Sequence, residues 1–198
     1  MAALIGGFFS PALNRAMARY KIDSLAQVGH EPGQLHNLVE NLNYSVEALL
    51  AKFSRDRISE ADAKAYGRAA GRAANQKAIA NCVYGGTWGA KSLGNQNLGE
   101  GWRYRGRGLI QITGRANYAA AGVGLSLPLE DQPEMLEQPE HAAMSAAWWW
   151  AKHGLNELAV AGRFQDIGSV INTGKAGRVP HGAAERKALY DRALKVLA

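Results

Sequence analysis

Residues 101–118 read GWRYRGRGLIQITGRANY and form the most distinctive pattern in the chain. Basic and apolar residues alternate from 102 to 107, and a mostly apolar run follows up to Thr113. This alternation predicts a strand or an extended segment over 102–113. The Gly106–Gly108 segment lacks the Lys-Ser/Thr of a phosphate-binding loop and the full dinucleotide fingerprint, so its glycines are predicted to let the backbone approach a neighbour or a ligand closely.

Three arginines, Arg103, Arg105 and Arg107, lie on one stripe of this segment. A solvated strand face would present them to water. They are equally suited to holding the segment against the rest of the protein, or to attracting an acidic polymer. The sequence leaves these three roles open.

Around this segment the chain is predicted to be mainly helical, because apolar residues recur at helical spacing. Ser45 is a good N-cap for the helix that follows it, and Ser59 with Asp62 resembles a capping box. A glycine-rich stretch at 85–101, with six glycines in 17 residues, predicts a long functional loop. The predicted helices cover residues 11–30, 46–53, 60–83 with a break near Gly71, about 115–121, 139–153, 164–171 and about 183–197.

Composition limits the kinds of site that the chain can hold. Cys82 is the only cysteine, which excludes an internal disulfide and a cysteine-based metal cluster. The histidines show no metal-ligand spacing, so neither a metal nor another cofactor is expected. The net charge of +6 favours a polyanionic partner, but no Lys/Arg-rich run marks a nucleic-acid tail, and nucleic acid is not an expected partner.

The N-terminal residues lack the basic region of a signal peptide, and no stretch is long enough to span a membrane. We therefore expect a soluble protein that is made in the cytoplasm without a signal peptide. Any action outside that compartment would require its release by another factor.

Two glutamates flank a predicted chain reversal. Glu31 ends the first predicted helix directly before Pro32-Gly33, and Glu40 follows nine residues after Glu31. A reversal would bring both carboxylates to one place, whereas a continuous helix would hold them about 13 Å apart. Glycosidases use such a pair, with one carboxyl group to protonate the leaving oxygen and the other to activate water or to act as nucleophile.

The 101–118 stretch and the segments around Glu31 and Glu40 resemble those of glycoside hydrolase family 19. This family contains plant-type chitinases and many endolysins of phages that infect Gram-negative bacteria. The 101–118 stretch is similar to the central motif of the family, and 26–31 to the segment that ends in its catalytic acid. Residues 40–45 are similar to the next segment of the endolysin branch. Three later segments also fit in the family's order, namely 145–150, 170–174 and 186–190.

The resemblance implies a mainly α-helical, lysozyme-like fold of two lobes with a substrate cleft and a small extended segment. It implies an inverting mechanism with Glu31 as the general acid. The residues implied to bind substrate are Tyr44, Ser45, Gln111, Thr113, Asn117, Asn172 and Arg186. Amides and hydroxyls can bond sugar hydroxyls and N-acetyl groups, and an arginine near the carboxylates would help to keep one of them ionised.

The second catalytic carboxylate is predicted to be Glu40, with Glu100 as the alternative. The polar neighbours of Glu40, which include Asn41 and Asn43, favour an ionised base. Glu100 lies in the glycine-rich stretch, where it could close over a substrate but would be held less firmly. An inverting enzyme also requires about 6.5–9.5 Å between its two carboxyl groups, which we expect for Glu31 and Glu40.

These features predict a peptidoglycan-degrading endolysin, a muramidase that cleaves the β-1,4 bond between N-acetylmuramic acid and N-acetylglucosamine. On this interpretation the chain is one catalytic domain over 1–198 without a separate wall-binding domain, and acts as a monomer on the cell wall in the periplasm. A family 19 chitinase and a non-catalytic cationic wall-binding protein are the alternatives. The C-terminal helix has an apolar and a basic side, which suits either docking on the domain or contact with an anionic envelope surface.

Overall fold

The computed structural model of the chain describes residues 10–22, 37–179, 183–184 and 187–188. These residues are mainly α-helical, as predicted, and within them extended residues pair only as isolated bridges. The α-helices of these ranges are α1 (Ser10–Tyr20), α2 (Val46–Lys52), α3 (Glu60–Tyr66), α4 (Gln76–Val83), α5 (Gly86–Leu93), α6 (Glu100–Arg103), α7 (Arg115–Leu125), α8 (Pro139–Lys152), α9 (Leu155–Val160) and α10 (Phe164–Thr173). A 3-10 helix spans Pro133–Glu137.

The predicted caps of α2 and α3 are confirmed. The Ser45 hydroxyl accepts a hydrogen bond from the Ala48 N–H at 3.2 Å and so caps α2. The Ser59 hydroxyl accepts from the Asp62 N–H at 3.0 Å and donates to the Asp62 carboxylate at 2.6 Å. These caps fix where each helix begins, because they satisfy backbone N–H groups that have no partner inside the helix.

Two predicted boundaries are wrong. The first helix, predicted over 11–30, ends at Tyr20, where Lys21 adopts a left-handed backbone with φ of 51°. The predicted loop at 85–101 contains α5, which is closed at its C-terminus by Gly94 in the left-handed region. Glycine therefore terminates a helix here instead of dissolving it, which is a common use of this residue.

The strand predicted over 102–113 is also wrong. Its first residues belong to α6, and the remainder is a turn-rich segment in which Gly108 and Gln111 have positive φ angles. Its only bridges run from Arg107 to Val39 and to Ile112. Residues 106, 107 and 108 are all buried, so burial does not follow the period-two alternation of the sequence, and within the described ranges no sheet forms around this segment.

The chain divides into two compact units, residues 1–37 with 139–198, and residues 38–138. In the described part of the first unit α1 packs along α8. Their facing positions are mostly small buried residues, so the two helices can approach closely. These positions include Ala12, Ala16, Ala142, Ala143 and Ala147.

The second unit contains α2 to α7, and α2, α3 and α4 supply residues to an apolar cluster. Leu42, Leu49, Ile79 and Val83 are fully buried in this cluster, and Tyr84 packs against its edge. The cluster places the segment around residue 40 next to the end of α4. Across the described ranges, every helix is too short or too polar to cross a lipid bilayer.

Candidate functional site

A short backbone pairing aligns Glu40 with the middle of the 101–118 stretch. The Glu40 N–H donates to the Gly106 carbonyl at 3.0 Å, and the Gly108 N–H donates to the Leu38 carbonyl at 2.8 Å. Val39 and Arg107 form an antiparallel bridge between these two bonds. This register fixes which side chains surround Glu40.

Both carboxylate oxygens of Glu40 accept hydrogen bonds. Oε1 accepts from the Gly106 N–H at 2.6 Å, and Oε2 accepts from the Tyr84 hydroxyl at 2.7 Å. A carboxylate offers about four acceptor positions, and hydrogen bonds from the described residues fill two of them. The two donors bind different oxygens, so they hold the Glu40 carboxylate in a defined orientation.

Gly106 is required by the close approach of Glu40 and Gln111. A Cβ atom on residue 106 would lie 2.8 Å from Gln111 Oε1 and 3.3 Å from Glu40 Cδ. Gln111 has a φ of 55°, which costs a non-glycine residue roughly 1–2 kcal/mol. Strained backbone of this kind clusters at functional sites, so the conformation of Gln111 marks this corner as a candidate.

We expect Gly106→Ala to reduce activity more than stability. Gln111 Oε1 is the end of a flexible side chain and can move away, but the Glu40 carboxylate must shift by a few tenths of an ångström. A displacement of that size lowers kcat by about tenfold. Turnover assays and urea denaturation of the same preparation measure the two effects separately. A variant with wild-type kcat would show that the exact position of Glu40 is unimportant.

Hydrogen bonds link three of the predicted substrate-binding residues to one another. The Thr113 hydroxyl donates to the Gln111 carbonyl at 3.0 Å, and the Asn117 amide donates to the Thr113 carbonyl at 2.7 Å. Asn117 is exposed in the first turns of α7. The structure thus brings Gln111, Thr113 and Asn117 together, and the Gln111 and Glu40 side chains both lie close to Gly106.

Tyr44 and Ser45 lie on the same unit, with structural contacts of their own. The Tyr44 hydroxyl accepts from Lys52 Nζ at 2.8 Å, and its ring meets Phe53 edge-on at 5.6 Å between centroids. The Ser45 hydroxyl is occupied in capping α2. These contacts give both residues a packing role, and their predicted substrate contacts stay a prediction.

The substrate or catalytic roles of three other predicted residues stay predictions. Asn172 is an exposed residue of α10, which belongs to the other compact unit. Glu31 and Arg186 lie outside the described residues. The separation of the Glu31 and Glu40 carboxyl groups therefore stays a prediction.

Glu100 is held more firmly than the sequence predicts. Its carboxylate accepts from the N–H groups of Gln96 and Asn97 at 2.7 and 3.1 Å, from the Asn97 amide at 2.9 Å and from Arg115 at 3.5 Å. Burial alone would raise the pKa of Glu100, but the bonds from Asn97 and Gln96 and the charge of Arg115 lower it overall. The prediction that Glu100 is a loosely held loop residue is thus wrong. Its contacts stabilise a tight turn over residues 96–100.

Glu100→Gln is accordingly expected to act on stability. The NH₂ group of the glutamine would face the N–H groups of Gln96 and Asn97, which are donors themselves. This loss of hydrogen bonds should lower the free energy of unfolding by about 1–3 kcal/mol. Because the pKa of Glu100 is lowered in the folded state, its stabilising contribution is present above the ordinary carboxyl pKa of about 4 and is lost as the pH falls through the folded value. Urea denaturation should therefore show that the difference in the free energy of unfolding between wild type and variant becomes smaller below about pH 4. A stable but inactive variant would make Glu100 the catalytic base instead.

The arginine stripe divides into three different environments. Arg103 is exposed, Arg105 is half-buried with its guanidinium 3.9 Å from the Trp102 ring centroid, and Arg107 is only 4% exposed. Arg107 bonds Glu137 at 2.7 Å and so holds the segment in place. Of the three roles left open, the solvated face is wrong for Arg107.

Sequence reasoning missed Tyr84, whose hydroxyl contacts Glu40 from 44 positions away. It is the C-cap residue of α4 and directly follows the apolar stripe that buries this helix. Nothing in the local pattern distinguishes it from an ordinary tyrosine at the edge of a core.

Comparison with known proteins finds a relative that matches over most of the chain. A protein of Haemophilus influenzae, described as a glycosyl hydrolase family 19 domain-containing protein, is 37% identical over 174 residues, which are 87% of this chain and 76% of that protein. An endochitinase of Arabidopsis thaliana is 48% identical over 54 residues, 27% of this chain and 19% of that protein. An acidic endochitinase of Populus trichocarpa is 42% identical over 53 residues, 26% of this chain and 16% of its own. The chain thus spans less than a fifth of these plant proteins.

No protein-family model matches the chain. Among solved structures, chitinase C from Streptomyces griseus aligns over 99% of this chain and 66% of that chain, with a TM-score of 0.39 and 17% identity.

Proposed function

Because the chain belongs to glycosyl hydrolase family 19, we propose that it is a muramidase of the endolysin type. It hydrolyses the β-1,4 bond between N-acetylmuramic acid and N-acetylglucosamine in peptidoglycan. The observation that carries this proposal is the Glu40 carboxylate, held by Gly106 and Tyr84 beside the strained Gln111. A fixed carboxylate with free lone pairs is what a water-activating base requires.

The mechanism assigns each carboxyl group one proton transfer. Glu40 takes a proton from a water whose oxygen attacks the anomeric carbon, and Glu31 gives its proton to the leaving glycosidic oxygen as the C–O bond breaks. The anomeric centre is inverted because the water enters opposite to the leaving group. Gln111, Thr113 and Asn117 supply amide and hydroxyl groups that bond the sugar next to Glu40.

Peptidoglycan is favoured over chitin on grounds of charge. The chain has a net charge of +6. Peptidoglycan carries free carboxylates on its stem peptides, whereas chitin is neutral, so a basic protein concentrates on the former. The similarity of residues 40–45 to the endolysin branch supports the same choice.

A family 19 chitinase is the second candidate, since two of the relatives are named endochitinases. Both functions use one bond type and one mechanism, and differ in the sugar that ends up at the new reducing end.

Release of soluble fragments from dye-labelled peptidoglycan and dye-labelled chitin tests the proposal. Borohydride reduction of the peptidoglycan products, followed by acid hydrolysis, should yield muramicitol and no glucosaminitol. Glucosaminitol would show cleavage of the other glycosidic bond, and release from chitin alone would make the chain a chitinase. Binding to sacculi without any release would favour the non-catalytic cationic protein. Contact of the C-terminal helix with an anionic envelope stays a separate proposal, because most of that segment lies outside the described residues.

A further inference from the structure

Tyr84 lies where α4 ends, with its hydroxyl 2.7 Å from Glu40 Oε2. The Gly106 N–H binds the other oxygen at 2.6 Å. The carboxylate is therefore gripped at both oxygens by donors from two distant parts of the chain. A single donor would leave the group free to rotate about its last side-chain bond.

Tyr84 is itself fixed on both its backbone and its ring. The Asn95 amide donates to the Tyr84 carbonyl at 2.8 Å. The Arg57 guanidinium lies 5.7 Å from the Tyr84 ring centroid and 3.8 Å from that of Trp88, and Arg57 Nε donates to the Val83 carbonyl at 2.9 Å. A cation that contacts the tyrosine ring and is bonded to the backbone beside it restricts the movement of Tyr84.

The hydroxyl of Tyr84 also keeps its proton. Burial, and then the charge and hydrogen bond of Glu40, raise the pKa of Tyr84 well above its usual range. Tyr84 therefore remains a donor to Glu40 and takes no part in proton transfer at any pH at which carboxylates act as bases.

We propose that Tyr84 is a positioning residue for Glu40, which orients the carboxylate plane so that a free lone pair faces the attacking water. This proposal rests on the proposed role of Glu40 as the base. The proton of the water goes to Glu40, and the Tyr84 hydroxyl stays intact throughout. Correct placement of a reacting group accounts for a large part of catalysis, so loss of one of two grips should lower kcat without weakening substrate binding.

A tyrosine whose hydroxyl has only a structural role serves as a control, and Tyr104 is such a residue. Tyr104 is 4% exposed, and its hydroxyl donates to the Glu130 carbonyl at 3.0 Å. It is thus a tyrosine of the same unit whose hydrogen bond has no contact with Glu40. Tyr104→Phe is the matched control for Tyr84→Phe, since each change removes one oxygen and keeps the ring.

Steady-state kinetics on soluble peptidoglycan fragments tests the proposal. We expect Tyr84→Phe to lower kcat by about tenfold with KM within about twofold of wild type. Tyr104→Phe should keep the wild-type kcat, while both variants lose about 3 °C in melting temperature. A Tyr84→Phe kcat within twofold of wild type overturns the proposal, because only a structural hydrogen bond would then have been lost.

A second readout does not depend on activity. In protein labelled with carbon-13 at glutamate carboxyl groups, the Glu40 resonance is the one that disappears in Glu40→Gln. It should move in Tyr84→Phe and stay in place in Tyr104→Phe. An unmoved resonance overturns the positioning role even if the wild type is active. An inactive wild type with a moved resonance overturns the proposed function and leaves the Tyr84–Glu40 contact standing.

Discussion

Replacing Glu40 by glutamine is expected to slow peptidoglycan hydrolysis by at least about a hundredfold, which is the usual loss when a general base is removed. Glutamine has nearly the same shape but cannot take the proton of a water. Its amide oxygen can still accept from one of the two donors, Gly106 and Tyr84, so the free energy of unfolding should fall by no more than about 2 kcal/mol. Dye release by a folded variant measures the loss.

Glu60→Gln is the control for the loss of charge. Glu60 is an exposed residue of α3 whose ion pair with Lys64 joins two surface side chains. We expect wild-type activity for this variant and a large loss for Glu31→Gln, in which the proton donor is gone. If Glu40→Gln retains activity while a folded Glu100→Gln is dead, the base is Glu100 and the assignment made here is wrong.

The comparison of Glu40 and Glu100 shows what the sequence could predict at the site. Polar neighbours of Glu40 indicated an ionised carboxylate, but could not show which groups bind it. Its partners come from residues 84 and 106, and only the packing of α4 against the core brings Tyr84 there. For Glu100 the flanking glycines indicated freedom, whereas the structure uses that freedom to wrap backbone N–H groups around the carboxylate.

For the fold, the sequence predicted helices well wherever capping residues and apolar periodicity agree. Ser45 and Ser59 cap helices at the predicted positions, and Pro139 begins α8. Periodicity failed over 102–113, because the alternation of basic and apolar residues does not correspond to alternate burial in this turn-rich segment. Arg107 shows this most clearly. In a strand with alternating basic and apolar residues the basic residues would face solvent, but Arg107 is buried.

That buried cation gives the second large effect. Arg107→Met is expected to lower the free energy of unfolding by about 3 kcal/mol, at the lower end for a broken buried ion pair. The change leaves three groups without their donor: the Glu137 carboxylate, the Arg103 carbonyl and the Tyr118 hydroxyl. The Glu137 side chain is 37% exposed and can be rehydrated, which keeps the loss from being larger. A fall of about 6–12 °C in melting temperature would accompany it.

Arg15→Met is the matched control, because Arg15 pairs with Glu140 while 61% of its side chain is exposed. Exposed pairs contribute about 0–1 kcal/mol, so this variant should melt close to wild type. The double change Arg107→Met with Glu137→Met should recover part of the lost free energy of unfolding, because no carboxylate is then left without its partner. If Arg107→Met melts like Arg15→Met, the buried contacts of Arg107 do not stabilise the fold. Because Val39, Gly106 and Arg107 share one backbone pairing, a true loss of the Arg107 contacts should also displace Glu40 and lower kcat at temperatures where the variant is still folded.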